Sequence, residues 1–334
     1  TFYLAFPALW GTAFWHAMVG NSSQACPASK ALLVNVLPTF LSIEFLLGLP
    51  GTILALWIFC CRMSNSLPNT VFLLNMVMAD FLLLTGLPFQ IDYFRRCDSW
   101  MFGPSFCNIT LFMMAVNRSA SIAFMMTVAV NRYLKIVHPH HRINNITVCQ
   151  ARLISLVEWV VVVSLRLPLL TNLLSWEENN VTLCQSFGLT DLSVGMKLHY
   201  GVHLLEFLLP FLVLLFCSFR IICVLRHRQM DKVKRVRRAM RAVQAIVAIF
   251  IFCFMPSFIT GVAALILDRK SEDFNLLSTL FRFSITFTYL NSALDPIIYC
   301  FSSPSFHNAL KMSFNSLGLV QFQLNRRGST VSED

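Results

Sequence analysis

Two arginines, Arg118 and Arg132, stand fourteen residues apart in the apolar run AVNRSASIAFMMTVAVNRYLK, each introduced by Ala-Val-Asn. As a helix, that run separates them by about 21 Å at roughly 1.5 Å per residue. A charge inside hydrocarbon costs about 2.5–3.5 kcal/mol on insertion scales and is kept where it has a role. A guanidinium in such a setting suits one task well, since its planar fork matches a carboxylate with two parallel hydrogen bonds. Two acids also fall in apolar surroundings, Asp80 in NMVMAD and Asp295 in NSALDPIIY. No catalytic constellation accompanies them. The histidines of HPHH have metal-like spacing, but no cysteine or carboxylate joins them, and they read as a solvated loop.

The segments that carry these charges are membrane spans. Of 334 residues, 56% are hydrophobic and 13% are charged, against about 25% charged in soluble domains. Seven apolar stretches, roughly 32–60, 69–92, 105–137, 149–174, 199–225, 238–267 and 275–301, are each long enough to cross about 30 Å of hydrocarbon. The chain is therefore expected to be an all-α membrane protein, a seven-transmembrane helix bundle whose termini face opposite sides.

Charge asymmetry assigns the sides. The connection RHRQMDKVKRVRRAMR holds eight Lys or Arg and one acid, and HPHHRINN and the tail with Lys311, Arg326 and Arg327 are basic too. The opposite connections hold Asp98, Glu177, Glu178, Asp191, Glu272 and Asp273. The positive-inside rule then expects an extracellular N-terminus and a cytoplasmic C-terminus. On this reading the net charge of +10 belongs to a cytoplasmic face that meets anionic lipid, and not to a nucleic-acid footprint.

Residues 1–20 lack a starting Met and a basic n-region, so they make a poor signal peptide. The sequons at Asn21 and Asn180 fall on expected outer segments and are expected to be glycosylated, Asn108 is borderline, and those at Asn117 and Asn145 fall in the membrane or the cytoplasm. Of the eleven cysteines, most lie within spans as small apolar residues. Four lie outside. A bridge between Cys107, which begins the third span, and Cys184 in the second outer loop would pin that loop over the bundle. Cys26 with Cys97 is the pairing left over, the alternative being free thiols.

DPIIY closing the seventh span, CFMP in the sixth, Trp159 in the fourth, Pro210 in the fifth and Asn131-Arg132-Tyr133 ending the third stand in one register. Together they resemble the rhodopsin-like G-protein-coupled receptors from about residue 32 to 315. EFLLGL, ALWIFC, HPHH, LLEFLLP, RQMD, FTYLNSALDP and CFSSPSF narrow the resemblance to the hydroxycarboxylic acid receptors and the oxoeicosanoid receptor. That resemblance implies a carboxylate-bearing ligand and an inhibitory G protein, with arrestin and receptor kinases as further partners. It makes Arg118 the ligand grip, assisted by Ser186 and Tyr289, with apolar pocket surface from Phe187, Phe281 and Phe254. The alternative for Arg118 is a structural partnership with Glu206. The resemblance counts Asn131, Arg132, Tyr133, Asp295, Pro296, Tyr299 and Phe254 as the G-protein switch, and Asp80, Ser121, Asn291 and Asp295 as holders of a sodium ion. No other cofactor is implied.

Several positions depart from the pattern. Thr52 replaces an asparagine that bridges to Asp80, which weakens the case for sodium. Asn131 replaces the acid before Arg132, so basal activity is expected to rise. Gly261 replaces a second arginine, and its small side enlarges the expected pocket in favour of a long oxidised fatty acid. Short hydroxycarboxylic acids are the alternative ligands. Arg282, two turns from Tyr289 on the same face, is expected at the pocket mouth, and Arg166 is expected to snorkel to the interface. The chain then divides into an N-terminal segment 1–31, a receptor domain 32–303, and an amphipathic helix with a cytoplasmic tail at 304–334. The rival from another class is an anion transporter built around Arg118, but the two halves show no internal repeat.

Overall fold

The computed structural model describes residues 31–63, 67–139, 141–172, 174–178, 181–185, 194–227, 234–266 and 272–316. The chain runs through α1 (Ala31–Trp57, continuing into a π turn Ile58–Arg62), α2 (Pro68–Arg95), α3 (Pro104–Val137), α4 (Val148–Arg166) and α5 (Pro168–Thr171). A hairpin of β1 (Ser175–Glu178) and β2 (Val181–Cys184) follows, then α6 (Val194–His227), α7 (Lys234–Ile266), α8 (Glu272–Phe287), α9 (Leu290–Ser302) and α10 (Pro304–Ser316). Six helices among the described residues are long and apolar enough to cross a membrane. The seventh span is divided between α8 and α9.

Local chemistry sets the breaks. Pro68 and Pro104 stand in the first turns of α2 and α3, where a missing N–H costs nothing. Thr147 and Gln150 form a reciprocal capping box at the start of α4, satisfying two donors that a helix end otherwise leaves open. The fourth span, expected as one piece over 149–174, breaks after Arg166 because Pro168 cannot continue a helical ladder. Between α8 and α9, Thr288 Oγ1 donates to Ile285 O at 2.6 Å, and the backbone tightens to three-residue bonds from Thr288 and Tyr289. Hydroxyl groups that bond back to the backbone compete with the helix in this way.

The helices pack around two apolar clusters. One, toward the basic end, gathers Phe72, Phe124, Phe207, Phe250, Tyr299 and Phe306. The other, toward the disulfide, gathers Leu37, Tyr93, Trp100, Phe106, Cys107 and Cys184. Leu46, Leu47, Val160, Leu205, Phe219 and Ile259 point outward from the bundle and are exposed. That outer apolar surface is what a hydrocarbon solvent requires.

Candidate functional site

One end of the bundle is closed by covalent and polar ties. Cys107 at the start of α3 is bonded to Cys184 at the end of β2. Closing a loop of this size stabilises a fold by about 2–5 kcal/mol. Trp100 N donates to Thr182 O at 2.8 Å, and the backbone N–H of Cys184 reaches the Tyr93 hydroxyl at 3.4 Å, so the hairpin is fastened to the α2–α3 connection. Cys97 is disulfide-bonded as well. The Cys26 of its expected pairing lies outside the described residues. Asn108 spends its side-chain amide on Asn172 O at 2.9 Å, so this sequon is engaged in holding α3 to the end of α5.

Beneath the hairpin is a cavity of about 70 Å³, bordered by Gln90, Phe94, Gln185, Phe281, Arg282 and Tyr289 among others. Arg282 and Phe281 reach it as expected, but Arg282 does not present a free guanidinium. Its two Nη atoms donate to the two oxygens of Asp98 at 3.1 and 2.6 Å, and its Cζ lies 5.5 Å from the Phe94 ring centre. Asp98 and its neighbour Cys97 both have left-handed backbones, with φ of 67° and 60°. Such residues cost about 1–3 kcal/mol each and persist where the surroundings impose them. Arg282 therefore holds the α2–α3 connection.

Gly261 departs from expectation as well. A Cβ there would lie 3.1 Å from Phe281 Cε2 and 3.6 Å from the His203 ring. The volume released by the small residue is filled by these two side chains, which pack edge to face at 5.9 Å. In this arrangement the glycine opens no room.

The buried charges meet deeper in the bundle. Arg118 is 5% exposed and Arg166 is wholly enclosed. Arg166 Nη2 donates to Glu206 Oε2, Nε donates to Ser119 Oγ at 2.9 Å, and Nη1 meets His199 Nδ1 at 2.9 Å. Ser119 Oγ in turn donates to Glu206 Oε1 at 2.5 Å. The expected interfacial position of Arg166 is thus overturned: three partners from α3 and α6 draw it inward. Arg118 comes no nearer to Glu206 than 4.0 Å, and its Nη2 has no hydrogen-bond partner among the described residues. It also lies within electrostatic range of Tyr289. Two buried guanidinium groups thus share one carboxylate, and such a site can receive a second anion. Sequence reading missed Ser119 and His199. The available signal was Glu206, an acid in an apolar span with two intramembrane arginines to choose between.

Below this cluster, Tyr299 OH donates to Asp80 Oδ2 at 2.6 Å and Asn291 Nδ2 donates to Asp295 Oδ2 at 3.3 Å. Asp80 Oδ1, Ser121 Oγ, Asn291 Oδ1 and Asp295 Oδ1 are buried without a hydrogen-bond partner among the described residues. Two enclosed carboxyl groups with spare oxygens around them need a shared proton or a cation. The donors are hard oxygens, the kind that small cations take. The set fits a sodium ion even with Thr52, whose Oγ1 is buried and likewise unpartnered. Pro296 lies within α9 between these residues and Tyr299.

At the basic end, Arg132 Nη2 donates to Ser302 O, which ties α3 to the end of α9. Arg132 lines a cavity of about 630 Å³ together with Thr70, Lys135, Arg238 and Ser303. Asn131 is buried beside it, and Tyr133 OH meets His138 Nε2 at 3.2 Å. Phe254 packs on Phe250 at 5.3 Å within the core between these two ends. Ser186, Phe187, Asn21 and Asn180 lie outside the described residues. The amphipathic helix expected at the start of 304–334 is α10, Pro304–Ser316.

Comparison with known proteins agrees with this arrangement. The family described as 7 transmembrane receptor (rhodopsin family) matches residues 51–299. Human hydroxycarboxylic acid receptor 2 is 39% identical over 306 residues, spanning 90% of this chain and 83% of that protein. Human oxoeicosanoid receptor 1 is 39% identical over 306 residues, spanning 90% of this chain and 78% of that protein. The 12-(S)-hydroxy-5,8,10,14-eicosatetraenoic acid receptor of Mus musculus is 35% identical over 299 residues, spanning 87% of this chain and 92% of that protein. The chain belongs to the rhodopsin family of seven-transmembrane receptors, multi-pass proteins of the plasma membrane that answer small ligands and act on G proteins, and it is a receptor, not an enzyme.

Proposed function

We propose that this receptor binds a carboxylate-bearing ligand through Arg118, with an oxidised fatty acid as the favoured class, and signals through an inhibitory G protein. The observation that carries the reading is the unsatisfied Nη2 of a buried Arg118 beside a glutamate already taken by Arg166. A ligand carboxylate supplies the missing negative charge and accepts two parallel hydrogen bonds. Tyr289 assists from the seventh span, and the family correspondence gives Ser186 and Phe187 a part in ligand binding. Three of the relatives carry names that speak of hydroxycarboxylic acids or oxygenated eicosanoids. The apolar border of the upper cavity, with Leu41, Phe94, Phe281 and Ile285, suits a hydrocarbon tail.

A second reading is favoured by one observation. The cavity is only about 70 Å³ and Phe281 fills the space beside Gly261, which suits a short hydroxy acid unless that ring turns aside.

The N-terminus faces outward and the C-terminus the cytoplasm, with glycans on Asn21 and Asn180. On the cytoplasmic side Arg132, with Asn131 and Tyr133, meets the G protein, while Asp295, Pro296, Tyr299 and Phe254 relay the change of state. Asp80, Ser121, Asn291 and Asp295 hold a sodium ion that favours the resting arrangement. Arrestin and receptor kinases act on the tail, where Ser329, Thr330 and Ser332 stand beside Glu333 and Asp334.

Dose–response curves for a long oxidised fatty acid and a short hydroxy acid, on wild type, Arg118→Ala and Arg118→Lys, test the reading. Losing the guanidinium should weaken any carboxylate agonist by about 2–5 kcal/mol, well over tenfold. Lysine should rescue little, since one ammonium cannot copy the fork. Unchanged potency in Arg118→Ala would end the carboxylate assignment, and a flux of anion without G-protein activation would favour a transporter.

A further inference from the structure

The upper cavity is bordered by polar groups that the carboxylate grip does not use. Gln90, Tyr93 and Phe94 of α2 all border it, and at spacings of three and four residues they share one helical face. Gln90 is 6% exposed, and its amide nitrogen Nε2 is buried with no hydrogen-bond partner among the described residues. A donor left unpaired in an apolar setting is costly, so an oxygen atom is expected to meet it.

Tyr93 is buried one turn further along the same face. Its oxygen accepts from the backbone N–H of Cys184 at 3.4 Å and from Gln185 Nε2 at 3.3 Å. Those two bonds use the lone pairs and leave the hydroxyl hydrogen to be donated. The other donors at this border are spent. Arg282 places both Nη atoms on Asp98, and Thr286 Oγ1 donates to Arg282 O at 3.1 Å. Gln90 and Tyr93 are thus two donors with hydrogen left to give, in surroundings of Leu41, Leu111, Phe281 and Ile285.

Tyr289 connects this cavity to the grip. It borders the cavity and lies within electrostatic range of Arg118, so a ligand chain that leaves Arg118 past Tyr289 enters the space beside Gln90. A plain hydrocarbon chain there would seal the amide away from any acceptor. A ketone oxygen can accept from both donors and brings no hydrogen of its own. An alcohol can accept too, but its hydrogen then needs a further acceptor.

We propose that Gln90 and Tyr93 form a subsite that reads an oxygen on the ligand's chain, favouring a ketone over an alcohol and an alcohol over an unsubstituted chain. The proposal rests on the carboxylate reading of Arg118 and adds what selects among carboxylates.

The test measures affinity of the purified full-length receptor in nanodiscs, by thermophoresis, for straight-chain octanoic and octadecanoic acids. Each acid is used unsubstituted, hydroxylated or oxidised to the ketone at successive carbons. In wild type the best ketone should bind roughly tenfold tighter than the unsubstituted acid of equal length. Gln90→Met, close in volume and without a donor, should erase that ratio while the unsubstituted acid binds at least as well as before. Gln90→Glu puts an oxygen where the nitrogen stood and should move the preference toward the alcohol. Tyr93→Phe should lower the ketone ratio in part. A preference measured within each variant, and turned by Gln90→Glu, is a change that a folding defect does not produce. A ketone ratio unchanged in Gln90→Met, or no ratio in wild type, would overturn the subsite. Equal weakening of every acid in Gln90→Met would reduce Gln90 to a packing role and overturn it as well. Failure of the carboxylate reading shows elsewhere, as unsubstituted acids that bind Arg118→Ala as they bind wild type. Failure of the subsite removes only the ratio and leaves the dependence on Arg118 intact.

Discussion

Arg166 hydrogen-bonds the carboxylate of Glu206, whereas Arg118 reaches it only as an ion pair at 4.0 Å. The two oxygens of Glu206 accept from Arg166 Nη2 and Ser119 Oγ, while Arg118 stays 4.0 Å away. With both oxygens engaged, Glu206 competes less for Arg118, the guanidinium proposed to grip the ligand. Arg166→Gln should let Arg118 swing onto Glu206 and lower carboxylate agonist potency by about tenfold, since one such lost pairing is worth on the order of 1.4 kcal/mol or more. Adding Glu206→Gln should restore much of that potency. If the double variant is as weak as the single one while both reach the surface, Arg166 acts on the fold and not on Arg118.

Arg132→Ala should abolish nucleotide exchange on the G protein while surface expression stays near that of wild type. The side chain lines the cavity of about 630 Å³ at the basic end and donates to a backbone carbonyl, Ser302 O. Normal exchange from this variant would remove the switch role.

Gly261 is expected to discriminate between ligand lengths through Phe281. A Cβ at Gly261 meets the edge of that ring at 3.1 Å, so Gly261→Arg must displace it and overfill the region, a change that costs about 1–3 kcal/mol in packed interiors. A long oxidised fatty acid should lose potency on Gly261→Arg, and a short hydroxy acid should be spared or improved. Phe281→Ala should do the reverse, favouring the long acid. Strong activation of wild type by short acids alone, with both variants silent toward long ones, would decide for the short-acid reading.

Sodium should weaken agonist binding if Asp80, Ser121, Asn291 and Asp295 hold it. Agonist competition in sodium chloride against choline chloride should show a right shift in sodium for wild type and none for Asp80→Asn, which removes the carboxylate that Tyr299 also contacts at 2.6 Å. A sodium shift that survives in Asp80→Asn would place the ion elsewhere.

Much of the fold could be read from hydropathy, because a span must be long and apolar whatever packs beside it. The third span, expected over 105–137, is Pro104–Val137, and the second, expected over 69–92, is Pro68–Arg95. The Cys107–Cys184 bond and the amphipathic helix after the seventh span were legible for similar reasons: each depends on a few residues close to an expected boundary. The local breaks were less so. Leu167-Pro168 announces an interruption, but the turn at Thr288-Tyr289 depends on a hydroxyl bond that the presence of a threonine does not by itself specify.

The pairing of charges belonged to the tertiary structure. Hydropathy marks Arg118, Arg166 and Arg282 as costly cations, yet their partners lie 40 to 184 residues away in the chain, at Glu206 for Arg166 and Asp98 for Arg282. Which cation reaches which acid depends on helix rotation and on the depth at which neighbouring spans cross, and neither is encoded in the period of a single helix. The same holds for Gly261, whose empty side became a seat for Phe281 and His203 instead of open volume. A span is specified by its own composition because the membrane is a uniform solvent. A site is specified by what other helices bring to it, because directional hydrogen bonds and close packing act only between groups already in contact.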